Sequence, residues 1–168
     1  MQMASIRRSP ALSRAMMAHE RGQLDHAKAV YQAILRAVPC DPDALHYLGV
    51  IAHQLGQHTR AAWLIRSSIT RAPRHAAAHA NLAEVLQALG YLEDALSHAR
   101  IACALEPKEP VYRTALARLL QMTGDIEGAL EAFEEGLHYR RSEPTRPDAP
   151  TFRYTVGSKL RHDADQLR

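Results

Sequence analysis

Pro42–Glu109 reads PDALHYLGVIAHQLGQHTRAAWLIRSSITRAPRH and then AAAHANLAEVLQALGYLEDALSHARIACALEPKE, the second segment repeating the first in register. Leu48 and Leu82, Gly56 and Gly90, Ala61 and Ala95, Pro73 and Pro107 each stand 34 residues apart. The same step taken backwards meets Gly22, Ala27 and Pro39, and taken forwards meets Gly124 and Ala129. A constant interval across so many conformationally special residues marks a repeat array, in which each unit buries its apolar face against its neighbours.

Each repeat divides into two helical patterns. In the second, Leu45, Leu48, Gly49 and Ala52 share one helix face, and Ala61, Leu64 and Ile65 share the next. Gly56 sits between them, where a residue without Cβ can turn the chain, and Pro73 ends the second helix because it lacks a donor and crowds the preceding turn. The third repeat places Leu82, Ala83, Leu86, Ala95, Ala99 and Ala102 likewise. The first carries Leu24, Ala27, Val30, Tyr31, Ile34 and Leu35; the fourth carries Leu116, Ala117, Leu120, Ala129, Phe133 and Leu137. In the fourth, Arg141 stands where the closing proline is expected. Small residues recur at Ala15, Gly49, Ala83 and Ala117 and at Ala27, Ala61, Ala95 and Ala129, as close helix crossings require.

The organisation expected is a disordered stretch over 1–7 and repeats over 8–41, 42–75, 76–109 and 110–141. A linker carrying Pro144, Pro147 and Pro150 follows over 142–157. A short C-terminal helix over 158–168 starts from a cap at Ser158 and holds Leu160, Ala164 and Leu167. That helix either covers the open face of the last repeat or begins a segment joining another domain.

Charge argues about partners. The chain carries a formal +3, but residues up to Tyr139 hold equal numbers of basic and acidic groups, so the excess lies in the tail. A neutral body lacks the basic face of a nucleic-acid binder. No stretch reaches the roughly 18 apolar residues of a membrane span. Cys40 and Cys103 fall at unrelated repeat positions, which speaks against a disulfide and for a reducing, cytoplasmic setting. The chain reads as soluble, a monomer or weak dimer.

Taken together, Leu45, Leu48-Gly49, Ala52, Ala61, Ile65 and Pro73, with Leu82-Ala83, Leu86, Ala95, Ala99, Ala102 and Pro107, resemble the tetratricopeptide repeat (TPR), a 34-residue helix-turn-helix family. The resemblance covers 8–141. It implies an all-α, right-handed α-solenoid of about four repeats plus the tail helix, whose first helices line a concave groove for a protein or extended peptide. The groove positions are His19, Glu20, His46, Tyr47, Val50, His53 and Gln54, then Asn81, Glu84 and Gln87, then Arg118, Gln121 and Met122. His19, His53, Gln87 and Gln121 occupy one equivalent position and form a polar ladder. The family's clamp for terminal carboxylates is not expected, since the matching places hold Leu12, Met16, Tyr47, Ala77 and Asn81 rather than cations.

Ten histidines raise a metal question. His19, His46 and His53 could gather, but no His-x-x-x-His pair or cysteine cluster supports a site, so groove polarity is the reading, with no metal or cofactor. Glu84 and Arg118, at equivalent places of adjacent repeats, read as an ion pair or as ligand contacts. Cys40 reads as an inert thiol, and Met16, Met17 and Met122 as packing. Trp63 belongs on the outer side of its second helix. No phosphate loop or nucleophile elbow appears. The function expected is a non-catalytic interaction module or adaptor. The alternative is the N-terminal module of a larger enzyme of glycosyltransferase or dioxygenase type, separated from its catalytic domain.

Overall fold

Backbone rules explain the helix boundaries. The computed structural model describes residues 9–142, with side chains through Arg140. Among these residues lie eight helices and no strand: α1 (Pro10–Glu20), α2 (Leu24–Ala37), α3 (Pro42–Gln54), α4 (His58–Arg71), α5 (Ala76–Ala88), α6 (Leu92–Leu105), α7 (Pro110–Thr123) and α8 (Ile126–Ser142). The expected N-terminal stretch and the linker and helix beyond Ser142 fall outside the described residues.

The chain turns between the helices of each pair at Gly22, Gly56, Gly90 and Gly124, whose φ angles are 74°, 75°, 84° and 88°. At these left-handed positions a Cβ would strain the backbone. The amide after each glycine reaches back five residues, as in Gln57 N–H to the Ala52 carbonyl at 2.8 Å and Tyr91 N–H to the Leu86 carbonyl at 2.9 Å. This pattern satisfies carbonyls that a helix end leaves open.

The second helix of each pair stops for a different reason. Val38, Ala72 and Glu106 precede the three prolines and adopt φ of −129°, −132° and −132° with ψ of 86°, 75° and 78°. Proline Cδ excludes its predecessor from helical geometry. Where Arg141 replaces that proline, α8 runs on to Ser142 and reaches 17 residues against 14 in α2, α4 and α6. Helices α1 and α3 start on side-chain caps: Ser9 Oγ accepts from Leu12 N–H at 3.1 Å, and Asp41 Oδ1 from Ala44 N–H at 2.8 Å.

The described residues form two compact units, unit 1 ending at Pro73 and unit 2 starting at Arg74. In unit 1, α1 packs on α2, α2 on α3 and α3 on α4; in unit 2, α5 packs on α6, α6 on α7 and α7 on α8, and α5 also meets α7. The small-residue positions are sealed: Ala15, Ala27, Ala61, Ala95 and Ala117 have no exposed surface. Gly49 marks a close crossing, because a Cβ there would lie 2.5 Å from Ile65 Cγ1. Ser68 stands where the third repeat carries Ala102, and its hydroxyl donates to the Pro42 carbonyl at 2.7 Å. That bond satisfies a fully buried polar atom.

Candidate binding faces

In unit 1 the expected groove residues divide by burial. His19, His46, Tyr47 and Val50 are buried, His53 and Gln54 half-buried, and Glu20 exposed. His19 Nε2 pairs with Gln54 Oε1 at 3.0 Å, which ties α1 to α3. Burial holds the His19 imidazole below its ordinary pKa, opposed by this hydrogen bond, so the ring is neutral near pH 7. Tyr47 stacks on Tyr31 with centroids 5.4 Å apart and meets His46 at 4.9 Å. These rings form the interior of unit 1, and of its expected groove residues only Glu20, His53 and Gln54 reach the surface.

Tyr31 is completely buried, and its hydroxyl has no hydrogen-bond partner. A cleft lined by Lys28, Leu48, Ile51, Gln57, Arg60 and Leu64 encloses about 30 Å³, room for one water rather than a metabolite.

In unit 2 the polar face is more open. Helix α5 contributes Asn81, Glu84 and Gln87, all half-buried. Helix α7 contributes half-buried Arg118 and exposed Gln121 and Met122. Gln87 Nε2–H donates to the Met122 sulfur at 3.2 Å, so two expected groove residues meet across the helices. Three of the ladder positions have partners outside the ladder: Gln54 for His19, His58 for His53, and Met122 for Gln87.

Glu84 and Arg118 come near one another without closing to a salt bridge. Burial pushes the Glu84 carboxyl up to about 8, against the pull of the Arg118 charge. Desolvation outweighs the pairing, and at neutral pH the acid is mostly uncharged. Glu84 Oε1 and Arg118 Nε both lack a hydrogen-bond partner. The expected ion pair is thus an acid and a guanidinium side by side, with bonding capacity left over.

Elsewhere in unit 2, Arg113 pairs with Glu135 and lies over the Tyr139 ring, 5.2 Å from its centroid, linking α7 to α8. Outside both faces, Trp63 is 66% exposed on α4. Met16 is buried and Met17 exposed. Cys40 is an exposed thiol with φ of 70° and Cys103 a buried one. Sequence reasoning missed His58 and His98, which pair with His53 and His79 at 2.9 Å each. For His58 the signal lay in the turn, which folds a residue five positions on back toward His53; His98 stands 19 residues from His79 and meets it across the α5–α6 packing.

The α5–α7 face supplies amide, carboxyl and guanidinium groups for hydrogen bonding, but no serine, cysteine or lysine nucleophile. No group of three or more potential metal ligands occurs among the described residues, nor a helix long and apolar enough to cross a membrane.

Tetratricopeptide-repeat family models match residues 12–67 and, in two further stretches, 76–100 and 110–135. No curated protein matches the sequence. MamA 41-end from Desulfovibrio magneticus RS-1 is similar in structure, with a TM-score of 0.70 and 21% identity over 81% of this chain and 77% of that one. A MamA RS-1 double mutant gives 0.69 and 22% over 79% and 75%. At this identity the MamA likeness speaks to fold alone. A Thermobaculum terrenum O-GlcNAc transferase mutant is 29% identical with a TM-score of 0.64, over 66% of this chain and only 21% of its own length.

Proposed function

The chain belongs to the tetratricopeptide-repeat family, and we propose that it works as a protein-interaction module that takes a peptide or protein segment on the exposed polar face of its first helices. The observation that carries this reading is the α5–α7 face of unit 2. There Asn81, Gln87 and Gln121 offer amides, while Glu84 and Arg118 keep bonding capacity that the fold leaves unused. A buried polar group without a partner costs about 1–3 kcal/mol, which a bound polypeptide would recover by supplying one. Both helices are held rigidly by their neighbours, so little ordering entropy opposes association. In unit 1 the accessible contacts are Glu20, His53 and Gln54. Binding alone, without catalysis, is the proposed activity.

A second reading rests on the transferase similarity. This chain spans about a fifth of that protein's length, so it also fits the repeat portion of a larger enzyme of that type. The two readings share the binding face and differ in what it serves.

The test is co-purification with the full chain and with an Asn81→Ala/Arg118→Ala variant, checked for folding by circular dichroism. Loss of a captured partner in the folded variant supports the face. A partner retained by the variant places binding elsewhere. Recovery of a catalytic polypeptide as the partner favours the enzyme-module reading.

A further inference from the structure

Two histidine pairs join the helices of a repeat, and they differ in exposure and aim. His79 on α5 and His98 on α6 hold their Nδ1 atoms 2.9 Å apart, with ring centroids at 5.2 Å. That is the separation of two rings set end to end along one N–H···N bond, and His79 is buried. His53, in the last turn of α3, and His58, the first residue of α4, hold their Nδ1 atoms at the same 2.9 Å. Their centroids are closer, at 4.9 Å, and the rings are inclined by 57°. These rings fold away from the straight bond, and both residues are half-buried, within reach of water.

Two nitrogens each about 2.0–2.1 Å from one ion and at a right angle stand about 2.9 Å apart. A tetrahedral ion would spread them to about 3.3 Å, and a linear one to about 4 Å. The Nδ1 spacing of His53 and His58 thus matches two neighbouring positions of a tetragonal or octahedral ion. Imidazole nitrogen suits late transition metals, and copper(II) heads their affinity order.

We propose that His53 and His58 form a bidentate imidazole site for a late divalent transition metal, copper(II) foremost, which staples the last turn of α3 to the first turn of α4. No third histidine, cysteine or carboxylate joins the pair among the described residues, so water fills the remaining positions and the ion stays exchangeable. The neutral pair needs one ring with hydrogen on Nδ1 and the other with it on Nε2. Binding requires both Nδ1 atoms bare, so the donor ring moves its proton to Nε2 through solvent, with no net proton release when both rings start neutral. Because the unfolded chain does not hold the rings at this spacing, copper raises the melting temperature of the folded protein. His53 is also an expected groove residue, so occupancy would place positive charge at the edge of the unit 1 face.

The experiment titrates copper(II) into the full chain, following heat by calorimetry and the bound ion by electron paramagnetic resonance. The wild type is compared with His53→Asn, His58→Asn and, as a control on an exposed histidine, His26→Asn. Wild type and control should show a first equivalent with two nitrogen ligands. Each pair variant should lose at least the roughly tenfold in affinity that even an outer-shell ligand partner contributes. Circular dichroism in chelator establishes that the variants remain folded. The melting-temperature rise with copper should vanish in His58→Asn. A first equivalent unchanged in His58→Asn, a one-nitrogen spectrum in the wild type, or equal loss in His26→Asn would overturn the site.

Discussion

Replacing Gly49 by alanine tests how closely the helices of the second repeat are fitted. The added methyl would meet Ile65 Cγ1 at 2.5 Å, Ile65 Cδ1 at 3.2 Å and the Ala61 carbonyl oxygen at 3.3 Å. Carbon atoms in ordinary contact stand about 3.5–4.0 Å apart, so Ile65 must retreat by roughly 1 Å. Ile65 is fully buried, and α3 and α4 pack directly on one another. Overpacking of this kind costs about 1–3 kcal/mol, whereas replacing a mid-helix glycine by alanine returns at most about 1 kcal/mol in propensity. A net loss of about 1–2 kcal/mol is expected.

The decisive comparison is the same substitution in an Ile65→Ala background. That pair copies Ala83 and Ala99, which occupy the equivalent places one repeat on and are both buried. With the isoleucine gone, Gly49→Ala should stabilise by up to about 1 kcal/mol, a coupling of roughly 2–3 kcal/mol between the sites. Urea unfolding of the four proteins by far-ultraviolet circular dichroism measures this, fitted to an array scheme because repeat proteins need not unfold in one step. An equal loss from Gly49→Ala in both backgrounds would refute the steric argument and assign the glycine to backbone geometry instead.

Glu84→Gln should remove a pH dependence. The carboxyl titrates near 4.5 in an unfolded chain and at about 8 in the fold, so between those values the folded state holds the extra proton. Stability therefore falls as pH rises through that window and levels off above it, and melting curves from pH 5 to 9 should be flatter for the glutamine variant. Tyr31→Phe removes a buried hydroxyl that has no partner, so the melting temperature should hold or rise, and a fall of several degrees would reveal a bond to that oxygen. Cys40→Gly relieves a left-handed φ of 70° and should stabilise by about 0.5–1 kcal/mol after glycine's entropic cost. In the native protein a thiol reagent should modify exposed Cys40 within seconds and buried Cys103 only on unfolding.

The fold was legible because its punctuation is local. Glycine at the left-handed turn and proline after the second helix each act on their own backbone, so a 34-residue spacing translates directly into helix pairs. Where Arg141 takes the place of the closing proline, α8 is longer. The face was only partly legible. Repeat position places Tyr47 and His46 on a first helix, but not that Tyr31 of α2 stacks on Tyr47. Neither does it show that desolvation keeps Glu84 from an ion pair, or that a turn of three residues brings His58 onto His53. Those outcomes depend on rotamers and on which side chains lose water, quantities that spacing does not encode.

Within each unit a helix packs on the helix just before and just after it in the chain. Packing of that kind needs only a short length of polypeptide to be present at once. During synthesis the first helix pair can close as soon as it clears the ribosome, and the third helix adds to a surface already formed. Few apolar residues then wait exposed for a distant partner, and the loop-closure penalty that slows folds of non-local topology stays small. A chain built this way can gain or lose a repeat without losing the route by which the remaining ones fold.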